Sequence, residues 1–263
     1  KQVTMCFKRT TPTPITSKYV YAGFGINDYM GSANDLRGCV NDINDEVRKL
    51  NREFPEFQCL RYFDRQVTTQ FFVEEIQRIM SQMPEDGFLY IKYSGHGTQI
   101  PSSQEPDGYD EALYLYNGPL IDNELWKLQQ QTPLNLKVLA KFDSCHSGDM
   151  GSRYFSNPSY RKARFMPIQG MEVRHHAITR ISKAEMQRWM IMSGCKPDQV
   201  SMDAQFNGRF NGAFSYFDLQ TYFRGILLTE NRIKTGIKLS QNGFAQVPEL
   251  SGPYEYETFM SNK

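Results

Sequence analysis

The sequence predicts an α/β protein: a three-layer α/β/α sandwich whose central sheet has about six strands, most of them parallel. Short β-branched and aromatic runs alternate along the chain with segments of helical periodicity, which is typical of strands connected through helices on both faces of one sheet. With 263 residues, 40% of them hydrophobic and 22% charged, the chain can form one sizeable core. No apolar run approaches the roughly 20 residues that a bilayer span needs.

The strands are predicted from short runs in which apolar side chains alternate or dominate. The first run alternates Val20, Ala22, Phe24 and Ile26 on one side. Five more runs of this kind follow at residues 57–64, 88–95, 112–116, 136–144 and 188–195.

The helices are predicted from apolar residues at steps of three and four. This spacing occurs from Leu36 to Phe54, from Phe72 to Met83 and from Ile121 to Leu128. Ser32 or Asn34 is the expected N-cap of the first helix and Asp122 that of the third.

The predicted domain organisation is simple. Residues 1–17, rich in Thr and Pro, form an irregular lead-in, and residues 18–263 form a single domain. Residues 149–187 have few periodic apolar positions and are the candidate linker. This linker is basic: the stretch 153–188 contains eight Lys or Arg and two Glu, whereas the whole chain has a net charge of only +1.

The five cysteines are widely scattered and include no CxxC pair. This pattern argues against a disulfide framework and a thiolate zinc site, and it favours a reducing compartment. We therefore expect the protein to be cytoplasmic.

Two polar motifs follow two of the predicted strands. Ser94-Gly95-His96-Gly97 follows the run at 88–95, and Asp143-Ser144-Cys145 follows the run at 136–144. In an open parallel sheet, ligands bind outside the carboxyl ends of the strands. If the strands are neighbours, His96 can act as the base that activates a Cys145 nucleophile.

The backbone amides of Gly97 and Cys145 are the candidate oxyanion hole, because glycines beside His96 leave the backbone accessible and free in φ. A lone buried cysteine is more often structural, and a lone histidine is more often a satisfied hydrogen-bonding partner. His146 is a competing base. The occurrence of both residue types after polar turns at strand ends nevertheless favours a catalytic pair.

Four motifs resemble the signature blocks of metacaspases and orthocaspases, within the caspase-like cysteine peptidases: "LRGCVND", "YSGHGTQ", "DGYDEALY" and "FDSCHSG". The resemblance covers roughly residues 18–257. It implies a caspase-like fold and a Cys145–His96 dyad that cuts peptide bonds through a thioester acyl-enzyme.

The resemblance also implies a pocket for a basic side chain at the residue before the scissile bond, the P1 residue. The matching positions are Cys39, Asp42, Ser94 and Asp143. Strand alternation independently places Asp143 on the side of Cys145, and carboxylates there would bind a guanidinium and repel an acidic side chain. We expect cleavage of proteins and peptides after Arg or Lys.

Self-processing follows as an expectation, because a peptidase specific for basic residues carries a basic linker just after its nucleophile. The candidate cleavage sites are Arg153, Arg161, Lys162, Arg164, Arg174 and Arg180. A patch for nucleic acid is the rival interpretation, but it lacks clustered aromatics and a recognised fold signal. A solvated loop with no role also stays open.

No cofactor is expected to be required, and calcium is the open alternative that the resemblance raises. Its candidate ligands are Asp107, Asp122, Asn123 and Asp149, although these depart from the family's Asp pair. No membrane partner is expected, and a monomer is favoured over an oligomer. The alternatives to an active enzyme are a catalytically silent scaffold that acts as a binding module and a zymogen gated by an activating protein partner.

Overall fold

The computed structural model describes residues 12–102, 109–145, 161–168, 187–196, 198–254 and 257–260. In chain order, the strands are β1 (Tyr19–Gly25), β2 (Gln58–Phe63), β3 (Phe88–Ser94), β4 (His96–Pro101), β5 (Tyr109–Leu115), β6 (Gly118–Ile121), β7 (Lys137–Asp143), β8 (Arg161–Ala163), β9 (Met190–Ser193), β10 (Met202–Phe206), β11 (Arg209–Gly212) and β12 (Glu249–Ser251). The α-helices are α1 (Cys39–Glu53), α2 (Thr69–Gln82), α3 (Asp122–Gln130), α4 (Ala213–Asp218) and α5 (Leu228–Gln241).

The central sheet has six strands in the order β12-β9-β7-β3-β1-β2. All pairs are parallel except β12 with β9. Two hydrophobic clusters lie on opposite faces of this sheet. One contains apolar residues of α2 and α3, and the other contains those of α1 and α5. The predicted mostly parallel sheet with helices on both faces is confirmed.

Two smaller antiparallel sheets were not expected from the sequence. The run predicted at 112–116 is β5, which pairs with β4 and β6 in a separate sheet rather than joining the central one. The second small sheet consists of β11, β10 and β8. Its β10–β11 hairpin turns at Asn207 and Gly208, whose φ angles of 51° and 81° are the left-handed values that an Asn-Gly turn supplies.

The predicted start of α1 is wrong. The helix begins at Cys39, because the preceding amides are bound from elsewhere in the chain: Asp203 accepts from the N–H groups of Arg37 and Gly38, and Asn27 accepts from Cys39. These distant side chains cap the helix in place of Ser32 or Asn34.

The expected cap of α3 is also wrong. Ile121 occupies the N-cap position, and Asp122 is the first helical residue. There its carboxylate is favourable near the positive end of the helix dipole.

A buried ion pair joins the helical layer to the sheet. The Lys141 ammonium on β7 donates to both carboxylate oxygens of Asp218 at 2.9 and 2.7 Å and to the Asn231 side chain at 3.0 Å. Both charged side chains are inaccessible to solvent. Breaking such a pair leaves an uncompensated buried charge, which costs far more than losing a surface pair.

We predict that Asp218→Asn lowers the free energy of unfolding by about 3 kcal/mol, because the Lys141 ammonium loses its counter-charge. Urea denaturation measures this change. The double variant Lys141→Met/Asp218→Asn should lose less than the single variant. The control is Glu257→Gln, which removes the carboxylate of an exposed pair with Lys137 and should change stability by less than about 1 kcal/mol. Equal losses for the buried and exposed variants would contradict the prediction.

Candidate active site

The two polar motifs meet at one edge of the central sheet. Strands β3 and β7 are parallel neighbours, and their register sets Ser94 opposite Asp143. His96 and Cys145 each lie two positions beyond these partners. Both are buried, with 1% and 0% of their surface exposed. The structure therefore brings the two predicted strand ends together.

The candidate oxyanion-hole amides point at the same atom. The N–H groups of Gly97 and Cys145 both donate to the carbonyl oxygen of Arg164, at 2.9 and 3.1 Å. A side chain at Gly97 would overlap the Cys145 carbonyl. Gly97 does not have the positive φ at which glycine is favoured, so its role here is to permit close approach of two backbones, not the freedom in φ that the sequence suggested.

Residues 161–166 cross this edge as an extended segment, which we call the crossing segment. On one side, β8 pairs antiparallel with β10, and the Arg164 N–H donates to the Ser201 carbonyl at 3.0 Å. On the other side, the Met166 N–H donates to the Gly97 carbonyl at 2.9 Å, and the Thr98 hydroxyl donates to the Met166 carbonyl at 2.6 Å. The backbone is held on both sides of the Arg164–Phe165 bond.

The Arg164 side chain is fully buried in an acidic pocket. One terminal nitrogen of its guanidinium donates to Asp42 at 2.8 Å and to Asp203 at 2.9 Å. The other donates to the Ser94 hydroxyl at 2.6 Å and lies 3.2 Å from an Asp143 carboxylate oxygen. Three of the four residues predicted for a basic-residue pocket therefore contact one guanidinium, and Asp203 adds a third carboxylate.

Further polar groups hold the pocket carboxylates in place. Asp143 accepts from the Ser201 hydroxyl at 2.5 Å and from the Ser215 amide at 2.9 Å. Asp42 accepts from the Asn211 side chain at 2.9 Å and from the Gly212 amide at 3.0 Å. Ser215 lies in α4, Asn211 and Gly212 lie in β11, and Ser201 directly precedes β10.

The charges in the pocket respond differently to burial. Burial raises the pKa of Asp42 to about 6, although the Arg164 guanidinium opposes the rise. Burial also acts to raise the pKa of Asp143, but Arg164 and Lys92 outweigh it and hold that pKa below its usual value. The fourth predicted pocket residue, Cys39, is buried; burial raises the pKa of its thiol and Arg164 opposes the rise.

His96 is oriented by a backbone carbonyl. Its Nε2 lies 2.6 Å from the carbonyl oxygen of Asn34. Since a carbonyl only accepts, Nε2 carries the proton, and in the neutral ring Nδ1 is the atom able to accept one. Nδ1 is buried and has no hydrogen-bond partner among the residues described. Burial lowers the pKa of His96 to about 4, so the ring is neutral at physiological pH.

The Cys145 thiol faces the β10 side of the site. It donates to the Ser201 carbonyl at 2.9 Å and accepts from the Ser201 amide. Burial raises the pKa of the thiol well above its ordinary value, and contact with Cys195 adds to the rise. Within the described part of the chain, no hydrogen bond joins Cys145 to His96, so the dyad remains a prediction from the sequence.

The other predicted residues divide into two groups. Among the candidate cleavage sites, Arg161 lies over the Phe244 ring and Lys162 contacts backbone carbonyls of the loop before α1. Asp122 and Asn123 lie in the first turn of α3, and within the described ranges no group of three or more His, Cys, Asp or Glu side chains is arranged to hold a metal ion. The remaining candidates lie outside the described residues: Asp107, Asp149, Arg153, Arg174 and Arg180.

Sequence reasoning missed Asp203, Ser201 and the Asn34 carbonyl. For Asp203 and Ser201 the sequence did contain a signal. Asn207-Gly208 separates two short runs of mixed apolar and polar residues, and this pattern is a strong indicator of a β-hairpin. It would have predicted β10 and its neighbours. Nothing local predicts the Asn34 contact, which depends on how the loop before α1 packs.

The fold and the arrangement at the sheet edge define a class, the caspase-like α/β proteins. A crystal structure of a protein from Geobacter sulfurreducens matches with a TM-score of 0.67 and 23% identity, covering 90% of this chain and 96% of that chain. Caspase-1 from Spodoptera frugiperda matches with a TM-score of 0.58 and 15% identity, covering 90% of this chain and 88% of that one. At these identities the likeness concerns the fold.

Sequence comparison finds likeness to the metacaspases within this class. The model of the metacaspase peptidase C14 domain matches residues 23–152. Metacaspase-1 of Schizosaccharomyces pombe is 26% identical over 227 residues, covering 70% of this chain and 53% of the relative. These matches support a metacaspase or caspase-like family for this chain. It spans about half the length of such curated relatives.

Two further observations concern the environment of the chain. The four cysteines in the described residues, Cys39, Cys59, Cys145 and Cys195, are free thiols. Within the same residues, none of the helices combines the length and the apolar character that a transmembrane span needs.

The buried His96 predicts a pH-dependent stability. An unfolded imidazole takes up a proton near pH 6.5, whereas His96 in the folded chain does so near 4. The unfolded state therefore binds more protons between these values, and stability falls as the pH drops through this window. Relative to pH 7.5, the His96 contribution at pH 5 is a loss of about 2 kcal/mol, and Asp42, whose pKa burial raises to about 6, acts in the opposite direction because its proton binds more readily in the folded state.

Urea denaturation at pH 7.5 and 5.0 measures this loss in a Cys145→Ala chain, in which self-cleavage cannot interfere. The matched variant Cys145→Ala/His96→Gln lacks the titrating ring and should lose about 2 kcal/mol less. If both chains lose the same stability, His96 is not the buried neutral group described here.

Proposed function

We propose that this chain is a cysteine endopeptidase that cleaves after Arg or Lys and that it cuts its own chain after Arg164. One observation carries the proposal: Arg164 lies in the site as a substrate would. Its carbonyl oxygen accepts from two amides at 2.9 and 3.1 Å, and its guanidinium fills the acidic pocket. The family match supports a cysteine peptidase.

The chemistry follows from these positions. The Cys145 sulfur attacks the carbonyl carbon of the P1 residue, and the carbonyl oxygen gains negative charge where the Gly97 and Cys145 amides already point. His96 accepts the thiol proton at Nδ1 and then donates it to the leaving amine. A thioester to Cys145 remains, and water hydrolyses it to the free acid and the thiol.

In the resting arrangement, the Cys145 thiol has to change its position before it can attack. The Cys145 thiol is bonded to Ser201, so the sulfur has to leave this partner to approach the carbonyl carbon and His96. Since burial keeps the thiol protonated and the imidazole neutral, we infer that proton transfer accompanies attack instead of a thiolate–imidazolium pair preceding it.

Arg164 is the best supported of the candidate cleavage sites in the described residues. Cleavage there breaks the Arg164–Phe165 bond. Arg161 and Lys162 contact other parts of the protein, outside the acidic pocket. The resting position of the thiol also favours a second candidate function, a gated state in which Arg164 blocks the site until an activating partner binds.

Self-cleavage is tested by mass spectrometry of the purified chain under reducing conditions. We expect the wild-type chain to yield fragments that end at Arg164 and begin at Phe165. Cys145→Ala and Arg164→Ala should abolish this cut, whereas Arg164→Lys should retain it at a reduced rate, because Lys keeps the charge but not the bidentate geometry. A wild-type chain that stays intact both with and without Ca²⁺ would refute self-processing and favour the gated state.

Specificity is tested with fluorogenic peptides that differ only in the P1 residue. Peptides ending in Arg or Lys should be cleaved and those ending in Asp should not. Asp203→Asn should lower kcat/KM for the Arg peptide by about 10- to 100-fold, mainly through KM, because one buried charge partner of the guanidinium is lost. The control is Asp86→Asn at an exposed pair with Lys18, which should leave the rate unchanged. Faster cleavage of Asp peptides would show that the pocket assignment is wrong.

A further inference from the structure

The crossing segment contacts the protein well beyond the acidic pocket. We number positions from the Arg164–Phe165 bond toward the N-terminus. Arg164 is then at the first position, Ala163 at the second, Lys162 at the third and Arg161 at the fourth. This stretch adds as an edge strand to β10 with antiparallel register. Peptide recognition by strand addition fixes the backbone and leaves alternate side chains to be recognised by separate pockets.

The third position has a site made of backbone carbonyls. The Lys162 ammonium donates to the carbonyl oxygens of Ala33 at 2.8 Å and of Asp35 at 2.7 Å. Burial lowers the pKa of Lys162, and the Asp35 and Asp203 carboxylates oppose this fall while Arg37 adds to it. Two carbonyl acceptors within hydrogen-bond distance favour a donor such as an ammonium or guanidinium over an apolar or acidic side chain.

The fourth position has an aromatic site. The Arg161 guanidinium lies 4.4 Å from the centroid of the Phe244 ring, and one of its nitrogens donates to the Gly243 carbonyl at 3.1 Å. Phe244 is buried and packs against Phe206 and Phe217, with ring centroids 5.8 and 6.0 Å away. The Phe244 ring is thus held in place, and the quadrupole of its face attracts a cation.

A small residue, Ala163, lies at the second position. Ala163 packs against a smaller hydrophobic cluster beside the nucleophile, which includes Cys145, Val200 and Met202. Ala163 is half-buried there, so its methyl group contributes apolar contact beside the nucleophile. The cleft therefore differs in chemistry from one position to the next.

We propose that the cleft recognises an extended polybasic segment of the pattern basic–basic–small–Arg, through the Ala33 and Asp35 carbonyls at the third position and the Phe244 ring at the fourth. This inference rests on the proposed function and names its substrate class. The substrates would be exposed, extended segments of other proteins with this pattern, or the same segment of a second copy of this chain.

The two outer sites should affect catalysis differently. The Ala33 and Asp35 carbonyls flank the Asn34 carbonyl that holds His96 Nε2 at 2.6 Å. A cation bound there orders the loop that orients the base, so its loss should lower kcat. The Phe244 site has no such connection to His96, and loss of a cation there should raise KM with little change in kcat.

The test uses four fluorogenic tetrapeptides assayed on the purified enzyme: Arg-Lys-Ala-Arg, and the same peptide with norleucine at the third position, the fourth position or both. Norleucine keeps the hydrocarbon length and removes the charge. We expect about a 10-fold loss in kcat/KM at the third position, mostly in kcat, and about a 3-fold rise in KM at the fourth.

The matched variants are Phe244→Leu and Phe223→Leu. Phe223 also has a cation over its ring, with the Lys234 Nζ 5.3 Å from the ring centroid, but Phe223 is exposed to solvent. Phe244→Leu should abolish the preference at the fourth position and keep that at the third, whereas Phe223→Leu should keep both. Thermal melting confirms that both variants are folded.

Two results would overturn the inference in distinguishable ways. If all four peptides are cleaved with kcat/KM values within 2-fold of one another, the extended recognition is wrong and the proposed peptidase function stands. If none of them is cleaved and other Arg peptides are not cleaved either, the proposed function fails and this inference fails with it.

Discussion

The burial of one guanidinium among three carboxylates is the interaction on which the site depends. Asp42 comes from α1, Asp143 from β7 and Asp203 from β10, and all three contact Arg164 with essentially no exposure to solvent. Burying an ion costs several kcal/mol unless it is well paired. Without a cation, these carboxylates would be buried like charges close to one another. The pocket is therefore complementary to a basic group, and this constraint also fastens the crossing segment over the nucleophile.

Covering the site changes the acid–base state of its central groups. Burial lowers the pKa of His96 and raises that of Cys145, so both are neutral while the crossing segment lies above them. A segment tethered to the same chain has an effective concentration in the millimolar range, and it competes strongly with any separate substrate. In the proposed function, the contacts that make Arg164 a substrate also make its segment an inhibitor until the bond after it is cut.

The central sheet was predictable from the sequence because its parallel strands are buried on both faces and read as mostly apolar runs, as at residues 88–95 and 136–144. The antiparallel strands were harder to predict. β10 and β11 are short, and the Asn207-Gly208 turn between them was the only strong local indicator. The start of α1 was mispredicted because its caps, Asn27 and Asp203, are remote in sequence.

The sequence by itself determined the sheet class, the likeness to metacaspases and the placement of two polar motifs at strand ends, because strand and helix periods and the motifs that follow them are local properties of the chain. That the two strands are neighbours was decided by the sheet order. Only the tertiary structure decided which basic residue enters the pocket, and that Asp203, Ser201 and the Asn34 carbonyl complete the site. The physical reason is distance along the chain: a buried charge has to be matched by charges from positions 42, 143 and 203, and packing alone brings these together around Arg164.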